Sequence, residues 1–148
     1  MLLPFLPEDR RRALANGADL PDPDEGTALF ADLSGFTALT GVLADAYGPR
    51  RGAEELTRHL TRTYDALIHE VHARHGSVIG FSGDAITCWF GGDDGRAAID
   101  AAHAMQRAMA GLPPVEVRGR GADELGLKVA AVHGTVRRFA VGDPAVQR

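Results

Sequence analysis

Apolar residues recur along this chain in two rhythms, and each change of rhythm marks an element. Thr27 to Ala31 is a short apolar run that ends near the polar turn Ser34-Gly35-Phe36, so it reads as a buried strand. Thr37 to Ala46 reads as a helix that stops before Gly48-Pro49. A longer helix follows, in which Leu56, Leu60, Tyr64, Leu67 and Val71 recur every three or four residues, and Gly76 stands where a left-handed C-cap belongs. Ser77 to Phe81 and Ala85 to Phe90 flank Ser82-Gly83-Asp84 as the two strands of a hairpin. A third helix runs to Met109, capped by Asp93 and Asp94, and its face of small residues from Ala97 to Ala108 admits a close neighbour. A Pro- and Gly-rich connector, Gly111 to Gly121, then leads to a strand Leu127 to Val132 and a last strand Arg138 to Val141. Residues 1 to 25 stand apart as an N-terminal lead-in, because Pro21-Asp22-Pro23-Asp24-Glu25 cannot continue a helix.

Strand, two helices, hairpin, helix, strand is the order of an α+β, ferredoxin-like split βαβ fold: a mostly antiparallel sheet with helices on one face. The strand-helix-strand crossover makes the first two strands parallel, so the third lies between them and runs opposite to both. That arrangement carries Asp32, at the end of the first strand, to Asp84, at the hairpin tip. Taken singly, Asp32 can be a helix cap and Asp84 a turn residue. Brought together beside glycines, they favour a divalent-cation site built from oxygen ligands.

Composition narrows the field. A chain of 148 residues with 45% hydrophobic content buries one ordinary core and is most simply one domain. Its net charge of −4 argues against a nucleic-acid partner, whose phosphates attract clustered Lys and Arg. The single cysteine, Cys88, sits among apolar residues as a small buried hydrophobe and fits a reducing, cytoplasmic setting. No stretch reaches the roughly 20 apolar residues that span a bilayer, so no membrane partner is expected. Two other patterns have simpler readings. Gly91-Gly92-Asp93-Asp94 is similar to the opening of a diguanylate cyclase signature, but between a strand and a helix it is better read as a cap. His69, His72 and His75 drift around their helix by about 60° per step and have no fourth ligand, which disfavours zinc.

Phe30-Ala31-Asp32-Leu33-Ser34-Gly35-Phe36-Thr37 and Phe81-Ser82-Gly83-Asp84-Ala85 resemble the two metal-binding signatures of class III nucleotidyl cyclases, the adenylate and guanylate cyclase homology domain. Lys128 to Gly134, followed by Val141-Gly142-Asp143, is similar to that domain's later strand and glycine pattern, so the likeness runs over about residues 26 to 143. Arg51 to Leu56 further resembles the first cyclase domain of the soluble, bicarbonate-responsive type and its bacterial relatives.

The resemblance implies cyclisation of ATP to cyclic AMP, with attack of the ribose 3′-hydroxyl on the α-phosphate and loss of pyrophosphate. It implies two Mg²⁺ ions, for which Mn²⁺ can stand in, bridged by Asp32 and Asp84 with the Leu33 backbone carbonyl as a further ligand. It also places Ser34, Gly35, Phe36, Thr37, Gly83 and Lys128 against the nucleotide, the first four through backbone N–H groups at a helix start and Lys128 as a phosphate contact. Phe36 has an alternative role as a core plug beneath the turn. Three departures accompany the likeness. Gly80 stands where purine-selecting relatives carry a lysine, and glycine has no side chain to read a base. The family's adenine-selecting acid and its transition-state Asn and Arg would lie after Arg148. Its closing helix and strands would lie there too, so residues 26 to 148 are expected to be the N-terminal portion of a C-terminally truncated domain that needs a second cyclase homology domain for activity. The alternative is a catalytically silent pseudo-cyclase that binds nucleotide or a partner cyclase domain.

Overall fold

The computed structural model describes residues 6–117, 121–123 and 125–139. Four strands, β1 (Asp24–Ser34), β2 (Ser77–Ser82), β3 (Ala85–Gly91) and β6 (Gly126–Val136), form an antiparallel sheet in the order β2-β3-β1-β6. The hairpin's second strand therefore lies between β1 and β2, as the crossover argument requires. Helices α2 (Phe36–Tyr47), α3 (Pro49–His72) and α4 (Arg96–Gly111) follow β1 and β3 in the expected order.

Alternation along β1 sets the two faces. Leu29, Ala31 and Leu33 point inward with Ile86, Cys88 and Phe90 of β3, and they bury against Leu67 and Val71 of α3 and Ala98, Ala101 and Met105 of α4. The small alanines let α4 lie close to the sheet. A second cluster joins Leu39 and Leu43 of α2 to Val115 and Val117. Burial pushes the Cys88 thiol up to about 12, so it stays protonated and packs as a hydrophobe.

Local signals behave as the sequence predicts at most ends. Asp93 accepts the N–H groups of Ala97 and Ala98 at 2.9 and 3.2 Å, which caps α4. Burial alone would raise its carboxyl pKa, but these bonds outweigh it and hold Asp93 below the ordinary value. Gly83 takes φ +63 in the two-residue turn between β2 and β3, the sign such a hairpin needs at its first position.

Four expectations change. The left-handed residue after α3 is His75, at φ +61, and Gly76 instead donates its N–H to Val71 O at 3.0 Å. Glycine is needed at 76 for space, since a Cβ there would lie 2.5 Å from the Phe90 ring. The connector from Gly111 holds a small hairpin, β4 (Val115–Val117) with β5 (Gly121–Asp123). β6 extends to Val136, beyond Val132, because β1 pairs with it along its whole length. Arg138 and Phe139 lie in no strand, while Ala140 and Val141 fall outside the described residues.

The lead-in adds an element with no apolar stripe, α1 (Glu8–Ala15), which buries none of its residues. Its ends are held by charge: Glu8 pairs with Arg11 and Arg12, and Arg12 donates to the carbonyls of His75 and Gly76 at 3.4 and 3.3 Å. Asp9 exchanges hydrogen bonds with Ser77, through its N–H at 3.0 Å and its carboxylate at 3.1 Å. Among the described residues no helix is long and apolar enough to cross a membrane.

Candidate metal and nucleotide site

The sheet register brings the two aspartate motifs together. Asp32 pairs with Ala85 on one side and with Lys128 on the other, while Ser82 pairs with Ala85. Ser82, Ala85, Asp32 and Lys128 thus form one row across four strands, on the face turned away from α3 and α4. Asp84 immediately precedes Ala85. The motifs are tied by backbone as well: Leu33 N–H donates to the Asp84 carbonyl at 3.3 Å.

Tyr64 of α3 reports on both carboxylates. Its hydroxyl donates to the same Asp84 carbonyl at 3.0 Å, and its ring meets Phe81 edge-on at 5.8 Å. Burial raises its pKa first, and the negative charges of Asp84 and Asp32 raise it further. Periodicity places Tyr64 in the apolar stripe of α3. What it does not reveal is that the hydroxyl reaches the hairpin tip; the cue was a phenol in the middle of a stripe otherwise made of aliphatic residues.

Asp32 is exposed and Asp84 half-buried. Among the described residues neither carboxylate has an ion pair, although Lys128 stands cross-strand from Asp32. Unneutralised neighbouring carboxylates suit a hard cation. No cluster of three or more His, Cys, Asp or Glu side chains occurs among the described residues. Two carboxylates suffice for Mg²⁺, which commonly takes one or two from the protein and completes its shell with water and substrate phosphates. The residues present fit the group.

The remaining site residues surround this pair unequally. Gly35, at φ +90, precedes α2, and Leu39 N–H returns to its carbonyl at 3.0 Å, leaving the first N–H groups of the helix directed outward. Thr37 is exposed; Phe36 is half-buried and belongs to neither core cluster. Ser34 lies against Gly126, where a Cβ would come within 2.5 Å of its hydroxyl. Gly80 follows a bulge in β2 and pairs with Thr87, with open space where a side chain would begin. Val141, Gly142 and Asp143, the third motif, lie outside the described residues.

No family model matches the chain. The human protein adenylate cyclase type 10 is 37% identical over 62 residues, which is 42% of this chain and 4% of that protein's length. A bacterial light-regulated adenylyl cyclase shares the fold with a TM-score of 0.75 at 20% identity, over 97% of this chain and 42% of that one. A dimeric guanylyl cyclase domain from the fungus Blastocladiella emersonii has a TM-score of 0.63 at 14% identity, over 84% of this chain and 64% of that one. The chain thus shares the fold of solved nucleotidyl cyclase domains, and over 62 residues its sequence is similar to that of adenylate cyclase type 10.

Proposed function

We propose that this domain supplies the metal-holding half of an adenylyl cyclase, converting ATP to cyclic AMP and pyrophosphate together with a second cyclase homology domain. The observation that carries the reading is the bond from Leu33 N–H to the Asp84 carbonyl, which holds the two distant motifs side by side. Asp32 and Asp84 would hold Mg²⁺, with the Leu33 carbonyl alongside. When bound, the ions acidify the attacking 3′-hydroxyl and neutralise the triphosphate. The outward N–H groups from Ser34 to Thr37 would bind phosphate oxygens, and Gly83 keeps the turn beside them free of a side chain. Lys128, exposed on β6 in line with Asp32, would meet the phosphate charge that the ions leave uncovered.

The partner would dock on the sheet face opposite α3 and α4. Phe30 and Val132 there are 46% and 60% exposed, apolar surface that a partner would cover. A second reading, a silent module that binds nucleotide without chemistry, is favoured by Gly80, which offers no base contact.

Thermal melts with and without Mg²⁺ or Mn²⁺ test the site. The ions should raise the melting temperature by binding the folded state, and Asp32→Asn or Asp84→Asn should remove most of the rise. A shift that survives Asp84→Asn would refute the shared site. Cyclic AMP formation on adding a partner domain, lost in either variant by about a hundredfold or more, separates the enzyme from the silent module.

A further inference from the structure

We propose that the cavity between α3, α4 and the start of β6 is a second binding site, for a small amphipathic carboxylate. It encloses about 280 Å³, roughly nine water volumes and near the lower end for small-molecule sites. It lies on the helix side of the sheet. Leu127, which lines it, and Lys128, in line with the aspartates, are successive residues of β6 and project to opposite faces. The inference is therefore independent of the nucleotide reading.

Thr63 is the first reason. It is 4% exposed and lines the cavity. Thr40 and Thr57 close their hydroxyls on the carbonyls of Phe36 and Ala53, each at 2.9 Å, whereas the Thr63 hydroxyl has no hydrogen-bond partner among the described residues. Nor is its oxygen fully occluded, for the sealed and unpartnered side-chain atoms among these residues are Arg11 Nε and Arg138 Nε. On a residue that lines the cavity, a buried hydroxyl that is neither bonded nor sealed is one that a ligand oxygen would satisfy.

Charge and wall chemistry fix the ligand class. Arg62 stands at the rim, exposed and without an ion pair among the described residues, and His59 lies one turn before Thr63. Among the described residues, no Asp or Glu lines the cavity. Gln106 gives its side-chain amide to the Leu127 carbonyl at 2.9 Å, so that oxygen does not face an incoming anion unpaired. The opposite wall, Met109, Leu112, Pro113 and Leu125, is apolar and suits a hydrocarbon body. A carboxylate fits the donors, because guanidinium and hydroxyl bind it through charge-assisted bonds.

Amide NMR shifts of the whole chain, titrated with phenylacetate and with phenylacetamide, test this. Phenylacetate should give saturable shifts at Thr63, Met109 and Leu127, and bind at least about fivefold tighter than the neutral amide. Arg62→Gln, a surface change, should abolish that preference and leave amide binding unchanged. Thr63→Val should weaken both probes by about threefold or more, with unchanged spectra elsewhere confirming the fold. Absence of saturable shifts in the millimolar range, equal binding of acid and amide, or shifts confined to Ser34–Thr37 would overturn the proposal.

Discussion

One strand carries an aspartate near each end, and the two have opposite surroundings. Asp24 and Asp32 point from the same face of β1. Asp24 is 9% exposed, accepts the Trp89 indole N–H at 2.7 Å and pairs with Arg138 at 3.0 Å. Arg138 in turn pairs with Asp9, joining α1 to the same end of the sheet. Asp32, eight residues on, is exposed and has no ion pair among the described residues. A paired, buried carboxylate belongs to the fold, whereas an exposed one without an ion pair contributes little to it. The contrast separates charge paired inside the fold from charge left unpaired at its surface, on a single strand.

The largest test of the contrast removes each carboxylate in turn. Asp24→Ala should cost about 2–4 kcal/mol, since the buried Trp89 N–H loses its acceptor and Arg138 keeps only Asp9 among the described residues. Asp32→Ala should leave metal-free stability within about 0.5 kcal/mol, or raise it by relieving repulsion. Urea melts decide, and equal costs at the two positions would dissolve the distinction. Next in size is base choice. The wild type should bind ATP and GTP within about tenfold, and Gly80→Lys, entering open space, should widen the ratio by about tenfold on calorimetric titration. An unchanged ratio would mean that the base is read elsewhere.

The smallest effect concerns Tyr64. Tyr64→Phe should cost about 1 kcal/mol by removing the bond to the Asp84 carbonyl. The folded pKa lies above the ordinary 10.0, so the associated stability is present below that pH and fades as pH rises through the folded value. The alkaline limb of the stability curve should be flatter in Tyr64→Phe. Phenolate absorbance should also show one of the two tyrosines titrating lower in Asp84→Asn, though still above normal because burial remains. Identical titrations would place Asp84 away from the phenol.

The order of the central sheet and the meeting of Asp32 with Asp84 were legible in the sequence, because long apolar periods and one crossover rule leave few arrangements. Three features were not. α1 buries nothing, so its hold on Ser77 and Gly76 is written in hydrogen bonds of charged side chains that periodicity does not detect. The hairpin of β4 and β5 has strands of three residues, too short to show alternation. His75, not Gly76, takes the left-handed conformation, and glycine at 76 answers to the Phe90 ring, a contact between distant segments that no local cap rule contains.

Asp32 owes its direction to residues that never touch a ligand. Its neighbours Ala31 and Leu33 are 1% and 2% exposed, and a slip of one residue in β1 would turn both into solvent and the aspartate into the core. The aim of the carboxylate is thus guarded by packing, while the surface around it at Gly80 and Thr37 bears little of the fold's stability. Such a division lets the surface around the aspartate change by single substitutions without disturbing the strand register that aims it.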